Sequence, residues 1–275
     1  MHYTYTEDGQ TRQYSDRKRY LWLLALSTPF LLTLAIWAFV QTGQHWLLAC
    51  PIVYLYGVLP VLDYVLGEDI NNPPEAVIPQ LEADRYYTRL LLLTVPGLVL
   101  NVVVAGYAVT QLDLSGWLIA LVTLTSGVIS GGLGLTISHE LGHRGGKFER
   151  FAALVASSVS LYGHFNIEHN RGHHVNVATP EDCASSRFNE TLYQFSWREQ
   201  WGALVRGWRS ECQRLNAKKL AIWSVHNQIL QSYAMTLVLW GISVALFGWS
   251  VLWFLIAQSY VGQWHLTLAN YVEHY

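Results

Sequence analysis

The sequence predicts an all-α integral membrane protein, a bundle of six transmembrane helices with a histidine-rich cytoplasmic end. Three observations predict this fold: an apolar composition, six long apolar segments, and histidines clustered where those segments end. Hydrophobic residues make up 52% of the chain and charged residues only 13%. The mean hydropathy of +0.21 is high for a soluble domain. The net charge of -2, without any basic face, argues against nucleic acid as a partner.

The six apolar segments are each long enough to cross the roughly 30 Å of membrane hydrocarbon, which takes about 20 residues in a helix. None of them contains a lysine or an arginine. We assign them to a single membrane domain that covers 1–275. The predicted spans are about 20–40, 46–66, 90–109, 114–137, 229–247 and 250–269.

The positions of the cations predict the orientation. If the six spans alternate, the outer connections 41–45, 110–113 and 248–249 contain none of the 17 lysines and arginines. Because cytoplasmic loops carry the excess of positive charge, the tail 1–19 and the longer loops are predicted to be cytoplasmic. The first span lacks a small-residue cleavage site and is expected to remain as an anchor.

Two segments between the spans each allow two interpretations. The segment 150–165 is apolar but only about 16 residues long, which is marginal for crossing. If it crossed, it would place the histidines before it and after it on opposite sides of the membrane. The segment 197–219 has tryptophans at helical spacing, which fits either an interfacial amphipathic helix or a helix packed against the bundle.

Six of the eleven histidines lie at the predicted cytoplasmic boundaries. HELGHR closes the fourth span with two histidines four residues apart, which point the same way from a helix. EHNRGHH follows, and NYVEHY contains the last of the six. The scattered His2, His45, His226 and His265 are expected to be solvated or hydrogen-bonded, and His164 is left open. The candidate metal ligands are His139, His143, His169, His173, His174 and His274.

HELGHR also matches HExxH, in which two histidines bind zinc and the glutamate is the base of a protease. Such a zinc site needs only one further ligand and an open water position, so six histidines exceed its needs. A nitrogen-rich set with open positions suits iron that activates dioxygen. Two metal ions are therefore predicted, and a membrane zinc protease remains a remote alternative.

These motifs resemble those of the integral-membrane alkane 1-monooxygenases, the non-haem di-iron alkane hydroxylases. HELGHR, EHNRGHHVNVATPEDCASSR and NYVEHY are similar to the histidine boxes of that family. LDYVLGEDINNPPE, residues 62–75, resembles the segment after its second span. The resemblance covers about 62–275, and it extends more loosely to xylene monooxygenase hydroxylase subunits and membrane fatty-acid desaturases.

The resemblance implies an enzyme of the bacterial inner membrane that uses dioxygen to convert medium- to long-chain n-alkanes into 1-alkanols. It implies two non-haem iron ions held by the six histidines. It also implies rubredoxin, served by rubredoxin reductase, as the electron donor. A related enzyme that acts on aryl methyl groups or fatty acyl chains is the alternative. Because the family has a later LQRHSDHH-type box, further ligands are expected beyond Tyr275, and the sequence is expected to be truncated.

Acidic residues beside the boxes have predicted supporting roles. A metal-bound histidine usually donates its other N–H to a carboxylate. Under this interpretation Glu140 orients an imidazole and is not a protease base. The candidates for this role are Glu140, Glu168, Asp182 and Glu273.

Basic residues and the second span have two possible roles each. Rubredoxins are typically acidic, so the cations of 198–219, with Arg144, Lys147 and Arg150, either dock the donor or only contact lipid headgroups. Side chains of the second span either line the substrate cavity or face lipid. These side chains are Tyr54, Tyr56, Val58 and Leu62.

Overall fold

The computed structural model describes residues 1–273 and confirms the all-α membrane fold. Within that range the only sheet is an antiparallel hairpin of β1 (His2–Glu7) and β2 (Gln10–Ser15). Short helices Glu75–Val77 and Ile78–Ala83 precede the third long helix. The helices that build the bundle are α1 (Arg19–Thr42), α2 (His45–Leu66), α3 (Arg85–Gln111), α4 (Gly116–Gly142), α5 (Lys147–Ser158), α6 (165–176), α7 (Leu192–Ala217), α8 (Gln228–Phe247) and α9 (Val251–Glu273).

Five of the helices described over 1–273, α1 to α4 and α8, are long and apolar enough to cross a membrane. They contain the first five predicted spans. The sixth predicted span, 250–269, lies in α9, a helix of 23 residues. Its Gln258, Gln263 and His265 lower its mean hydropathy below that of the other five. The count of six spans therefore stays a prediction.

Helices α4 and α9 pack closely because glycines let their backbones touch. A Cβ atom at Gly131 would lie 2.3 Å from the carbonyl oxygen of Gly262. A Cβ at Gly127, one turn earlier, would lie 2.5 Å from the side chain of Val261. Small residues spaced four apart commonly allow such close helix contacts in membranes. The contacting residues come in the same order along both helices, so α4 and α9 run parallel. Their C-terminal ends therefore lie at the same side of the bundle.

Gly131→Ala is expected to lower the melting temperature, because the added methyl group has no space and overpacking costs about 1–3 kcal/mol. The matched control is Gly241→Ala in α8, where a Cβ would meet nothing within 4 Å. That variant should be neutral or slightly stabilising, since alanine in the interior of a helix is more favourable than glycine. Thermal unfolding of both variants checks this, and equal shifts would contradict the proposed backbone contact.

Helix α5 shows that the segment 150–165 does not cross. It has 12 residues, so it is only about 18 Å long. It folds back along the end of α4, where the hydroxyl of Ser138 donates a hydrogen bond to the carbonyl of Ala153 at 2.8 Å. The crossing alternative is wrong, and the two histidine boxes on either side of α5 can meet.

Helix α7 combines both interpretations of the segment 197–219. Residues at every fourth position form a buried stripe that packs on the bundle, while Trp197 and Trp201 are 81% and 64% exposed on another face. A capping box of Thr191 and Gln194 begins the helix. The buried stripe consists of Phe195, Glu199, Ala203, Gly207, Glu211 and Leu215.

The N-terminal residues form a docked hairpin, which was predicted only as a polar tail. Asp8 and Gly9 both have positive φ, 51° and 73°, as a tight two-residue hairpin turn requires. The hydroxyl of Tyr3 donates to Asp84 at 2.7 Å. Arg19 pairs with the same carboxylate and lowers the pKa of Asp84 to about 2. The hairpin is therefore tied to the start of α3.

Candidate metal centre

Four histidines from two helices converge where α4 ends. His139 and His143 lie one turn apart on α4, and His169 and His174 come from α6. One ligating nitrogen of each lies within 4.8 Å of those of the other three. The Nε2 atoms of His139 and His143 are 2.9 Å apart. The structure thus brings four of the predicted ligands to one point, which we call the four-histidine cluster.

Helix α6 presents His169 and His174 on the same side because the helical turn that begins at His169 is wider than an α-helical turn. His169–His173 form a π-helical turn, in which hydrogen bonds join residues five apart instead of four. The wider turn brings His174, five residues after His169, towards the helix face that carries His169. Both histidines therefore belong to the cluster. Helix α4 also has a π-helical segment, Ile129–Leu135, just before its own histidines. Such segments are frequent at functional sites.

The rings of the four-histidine cluster form a flattened square. Neighbouring ring centroids lie 4.4, 4.6, 4.5 and 5.0 Å apart, whereas the two opposite pairs are 5.9 and 6.3 Å apart. A tetrahedral set would make all the separations similar. Zinc strongly prefers tetrahedral sites, whereas a flattened set leaves open positions on a metal of higher coordination number. The arrangement of the four rings therefore differs from the tetrahedral ligand set of a zinc site.

The ring nitrogens of the cluster suit a metal ion. Within residues 1–273, the Nε2 atom of His169 is buried and has no hydrogen-bond partner, which is costly for a polar atom. Burial and the neighbouring histidines lower the pKa of His169 to about 3, and they also lower the pKa of His174. Both rings are therefore neutral near pH 7, the form in which imidazole binds metals. A metal ion in the cluster would give the buried Nε2 of His169 a partner.

His173 lies beside the cluster. Its ring centroid is 5.2 Å from that of His169 and 5.8 Å from that of His174. Its Nδ1 atom is 2.9 Å from the carboxylate of Asp182. Because Nδ1 serves this carboxylate, a metal bound by His173 would be held through Nε2. The contact between Asp182 and His173 is the kind of contact that an orienting carboxylate makes, and the orienting role stays a prediction.

The other predicted supporting carboxylates differ in their contacts. Glu140 has an oxygen 3.3 Å from Nδ1 of its neighbour His139, which fits an orienting role. Glu273 is exposed at the end of α9 and close enough for its charge to act on His139. No hydrogen bond between residues 1 and 273 joins Glu273 to an imidazole. The predicted ligand His274 lies outside the described residues.

Glu168 and Asp182 share a buried ion network with Arg206 of α7, which sequence reasoning missed as a site residue. Arg206 Nε donates to Glu168 at 2.8 Å, and Nη2 donates to Asp182 at 2.8 Å. Burial raises the pKa of Asp182, but hydrogen bonds from His173, Arg206 and Ser185 outweigh it and hold that pKa below its usual value. Asp182 therefore stays ionised. Glu168 contacts Arg206 and not an imidazole, so its predicted role is indirect.

Three arginines predicted to dock an acidic donor are paired inside the protein. Arg198 pairs with Glu190 at 2.6 Å, and Arg214 pairs with Glu211 at 2.5 Å. The guanidinium of Arg206 is bound by the network above. The docking interpretation is wrong for these three because carboxylates of the same chain already neutralise them. The exposed cations in this region are Lys147, Arg150, Arg209, Lys218 and Lys219.

His164 and the second span have structural positions away from the cluster. His164 is buried, and its Nδ1 is 2.9 Å from the hydroxyl of Tyr233. Tyr56, Val58 and Leu62 are 55%, 42% and 44% exposed, which favours the lipid-facing alternative for them. A cavity of about 730 Å³ lies instead between α1, α3 and α4. Its lining includes Leu26, Leu90, Leu133, Ile137 and Glu140.

Fold and site together define a membrane protein with a histidine-ligated metal centre. The family model "Fatty acid desaturase" matches residues 115–275. The alkane 1-monooxygenase of Ectopseudomonas oleovorans is 44% identical over 96% of this chain and 65% of its own length. The alkane 1-monooxygenase 2 of Pseudomonas aeruginosa is 36% identical over 93% of this chain and 68% of its own.

A more distant relative is the xylene/toluene monooxygenase hydroxylase component of Pseudomonas putida, which is 28% identical over 80% of this chain and 58% of its own length. The chain therefore belongs to the fatty acid desaturase family, in the group of the alkane 1-monooxygenases. This confirms the resemblance that the histidine boxes indicated. The chain spans 65% of the length of relatives such as the E. oleovorans protein.

Proposed function

We propose that this protein is a membrane monooxygenase that inserts one atom of dioxygen into the terminal C–H bond of medium- to long-chain n-alkanes and releases 1-alkanols. The observation that carries the proposal is the square of four imidazoles at the end of an apolar helix. Such a nitrogen-only set with open positions suits iron that reacts with dioxygen. The names of the relatives support an alkane as the substrate.

Two non-haem iron ions are the proposed cofactor. His139, His143, His169 and His174 would hold one ion, and His173 with His274 would contribute to the second. Bound iron supplies the activation of dioxygen by electrons from a donor. The cluster supports these ligand roles, and so does the position of His173, whose Nδ1 faces Asp182, so that Nε2 would be its ligating nitrogen.

The chain's own residues prepare the site for an apolar substrate. The cavity of about 730 Å³ between α1, α3 and α4 has the size of a small-molecule site. Leu90, Leu133 and Ile137 give it apolar walls that exclude water from an alkane. Glu140 both lines this cavity and contacts His139, so the cavity adjoins the cluster. Asp182 and Glu140 hold their histidines in orientation.

The orientation and the electron donor are parts of the same proposal. Six spans would place the N-terminus and the histidines at the cytoplasmic face of a bacterial inner membrane, because the predicted outer connections contain no cation. Rubredoxin, reduced by rubredoxin reductase, is the proposed donor. The exposed cations Lys147, Arg150 and Arg209 give this face a positive charge that would attract an acidic protein.

Product analysis tests the proposal. Membranes that contain the protein from its natural gene, supplied with reduced rubredoxin, n-octane and ¹⁸O₂, are expected to form ¹⁸O-labelled 1-octanol, measured by gas chromatography and mass spectrometry. The same membranes are then given p-xylene and a saturated fatty acyl substrate. Oxidation of the xylene alone would favour the aryl-methyl alternative, and a new double bond without labelled oxygen would favour a desaturase.

A further inference from the structure

A pocket of about 390 Å³ lies behind the histidine boxes, between α5, α6 and the end of α7. Its lining includes Gly142, which lies between the two histidines of α4, and Asn170, which follows His169. The side-chain amides of Asn166 and Gln228 also line it. The pocket is therefore polar, and it is separate from the apolar cavity beside α1 and α3.

The lining of this pocket carries an excess of positive charge. It contains Arg150, Arg171, Arg214 and Lys218, and no acidic residue among those described. Buried Glu211 contacts Arg214 at 2.5 Å and Arg171 at 3.6 Å. Glu211 is thus the one carboxylate described as pairing with these cations, and it contacts two of the four. Cations held close together without enough counter-charge repel one another, so an anion in this pocket would be bound favourably.

Two of the four cations have no ion pair within residues 1–273. Arg150 on α5 and Lys218 after α7 are both exposed, and the salt bridges described for this chain include neither of them. Arg171 and Arg214 form the inner wall, because their guanidinium groups meet at Glu211. The pocket thus has two cations that Glu211 holds in place and two exposed cations without a described ion pair, which together favour a compact anion.

Large apolar side chains beside the pocket place it at the level of lipid headgroups. Phe148 and Phe151 flank Arg150 on α5 and are 65% and 51% exposed. Trp223 and Val225, in the loop between Lys218 and α8, are 78% and 80% exposed. Aromatic residues next to cations are typical of the membrane interface. An acidic soluble protein fits this site less well than a lipid, because the apolar side chains beside the pocket would then stay exposed to water.

We propose that this pocket binds the phosphate group of an anionic phospholipid, with the acyl chains against Phe148 and Phe151. The guanidinium groups of Arg150 and Arg171 are suited to phosphate oxygens, because a guanidinium donates several N–H groups in one plane. Arg214 is held by Glu211 and forms part of the pocket wall. The inference concerns lipid binding only and does not depend on the proposed alkane hydroxylation.

Native mass spectrometry of the detergent-purified protein tests the proposal by titration with dioleoyl phosphatidylglycerol and with dioleoyl phosphatidylcholine. The anionic lipid is expected to bind at least tenfold more tightly. The double variant Arg150→Gln, Lys218→Gln is expected to bind phosphatidylglycerol roughly thirtyfold more weakly, since each cation near a membrane surface contributes a roughly fivefold effect. Its affinity for phosphatidylcholine should not change.

The matched control is the double variant Lys147→Gln, Arg209→Gln. It removes the same charge from exposed positions on the same two helices, outside the pocket lining. Its affinity for phosphatidylglycerol is expected to stay within about twofold of the wild type, because neither side chain lines the pocket and exposed charges that do not contact a ligand contribute little. Equal melting temperatures of both double variants in phosphatidylcholine show that they are folded.

Four results would overturn the proposal. One is equal affinity for the two lipids, and another is equal effects of the two double variants. The third is competition: if inorganic phosphate at millimolar concentration displaces the lipid, free phosphate is the ligand. If polyglutamate binds with the same dependence on Arg150 and Lys218 while the lipid does not, the pocket recognises an acidic protein instead.

Discussion

Replacement of His169 by alanine is expected to remove the metal from the four-histidine cluster and to abolish alkane hydroxylation. His169 is one corner of the square, with ring centroids 4.4 Å from His139 and 4.5 Å from His174. Loss of a residue that only supports a ligand already costs about 10–100-fold in metal affinity or activity. Loss of the ligand itself should therefore lower product formation by more than roughly a hundredfold. Metal content and 1-octanol formation are the two measurements.

His164→Ala is the control for this prediction because His164 and His169 have similar surroundings, but His164 lies outside the cluster. Both have a buried Nε2 without a hydrogen-bond partner among the described residues. Burial lowers the pKa of each to about 3. His164 contacts Tyr233 and lies outside the cluster, so its removal should lower stability and leave the metal bound. Metal retained at wild-type level after His169→Ala would contradict the ligand assignment.

The sequence predicted those parts of the site that depend on local geometry. His139 and His143 are four residues apart in an α-helical turn, so their shared direction follows from the helical repeat. The pairing of His169 with His174 depends on a π-helical turn. That turn is not visible in EHNRGHH, because the packing of α6 against α4 and α7 selects it. For the same reason His173 could not be separated from the cluster in advance.

Long-range contacts limited the prediction further. Arg206 meets Glu168 across 38 residues of sequence, and no local pattern distinguishes it from an exposed cation such as Arg209. The hairpin, by contrast, had a local signal. Asp8-Gly9 follows a strand, HYTYTE, in which polar residues alternate with tyrosines, and Asp-Gly is typical of a two-residue hairpin turn. The apolar spans were predictable because any helix that crosses the membrane must be long and apolar, whichever helices it packs against.

Arg206→Met is expected to destabilise the protein by about 3–5 kcal/mol, because it leaves the buried carboxylates of Glu168 and Asp182 without their cation. A loss of that size should lower the melting temperature by roughly 10 °C. The matched control is Arg209→Met, which removes an exposed arginine one turn later on the same helix. Its effect should stay within about 0.5 kcal/mol. Thermal unfolding of the two variants in the same detergent is the measurement.

A double variant separates the ion network from simple packing. If Arg206 acts by neutralising Glu168, then Arg206→Met with Glu168→Gln should be more stable than the sum of the single effects predicts, by about 0.5–3 kcal/mol. If Arg206 only fills space beside Gly172, where a Cβ would lie 2.4 Å from its Nε atom, the two effects should add. Arg206 is one of the donors that hold the Asp182 carboxylate beside His173. The variant Arg206→Met should therefore also lose metal at temperatures where it remains folded, whereas Arg209→Met should not.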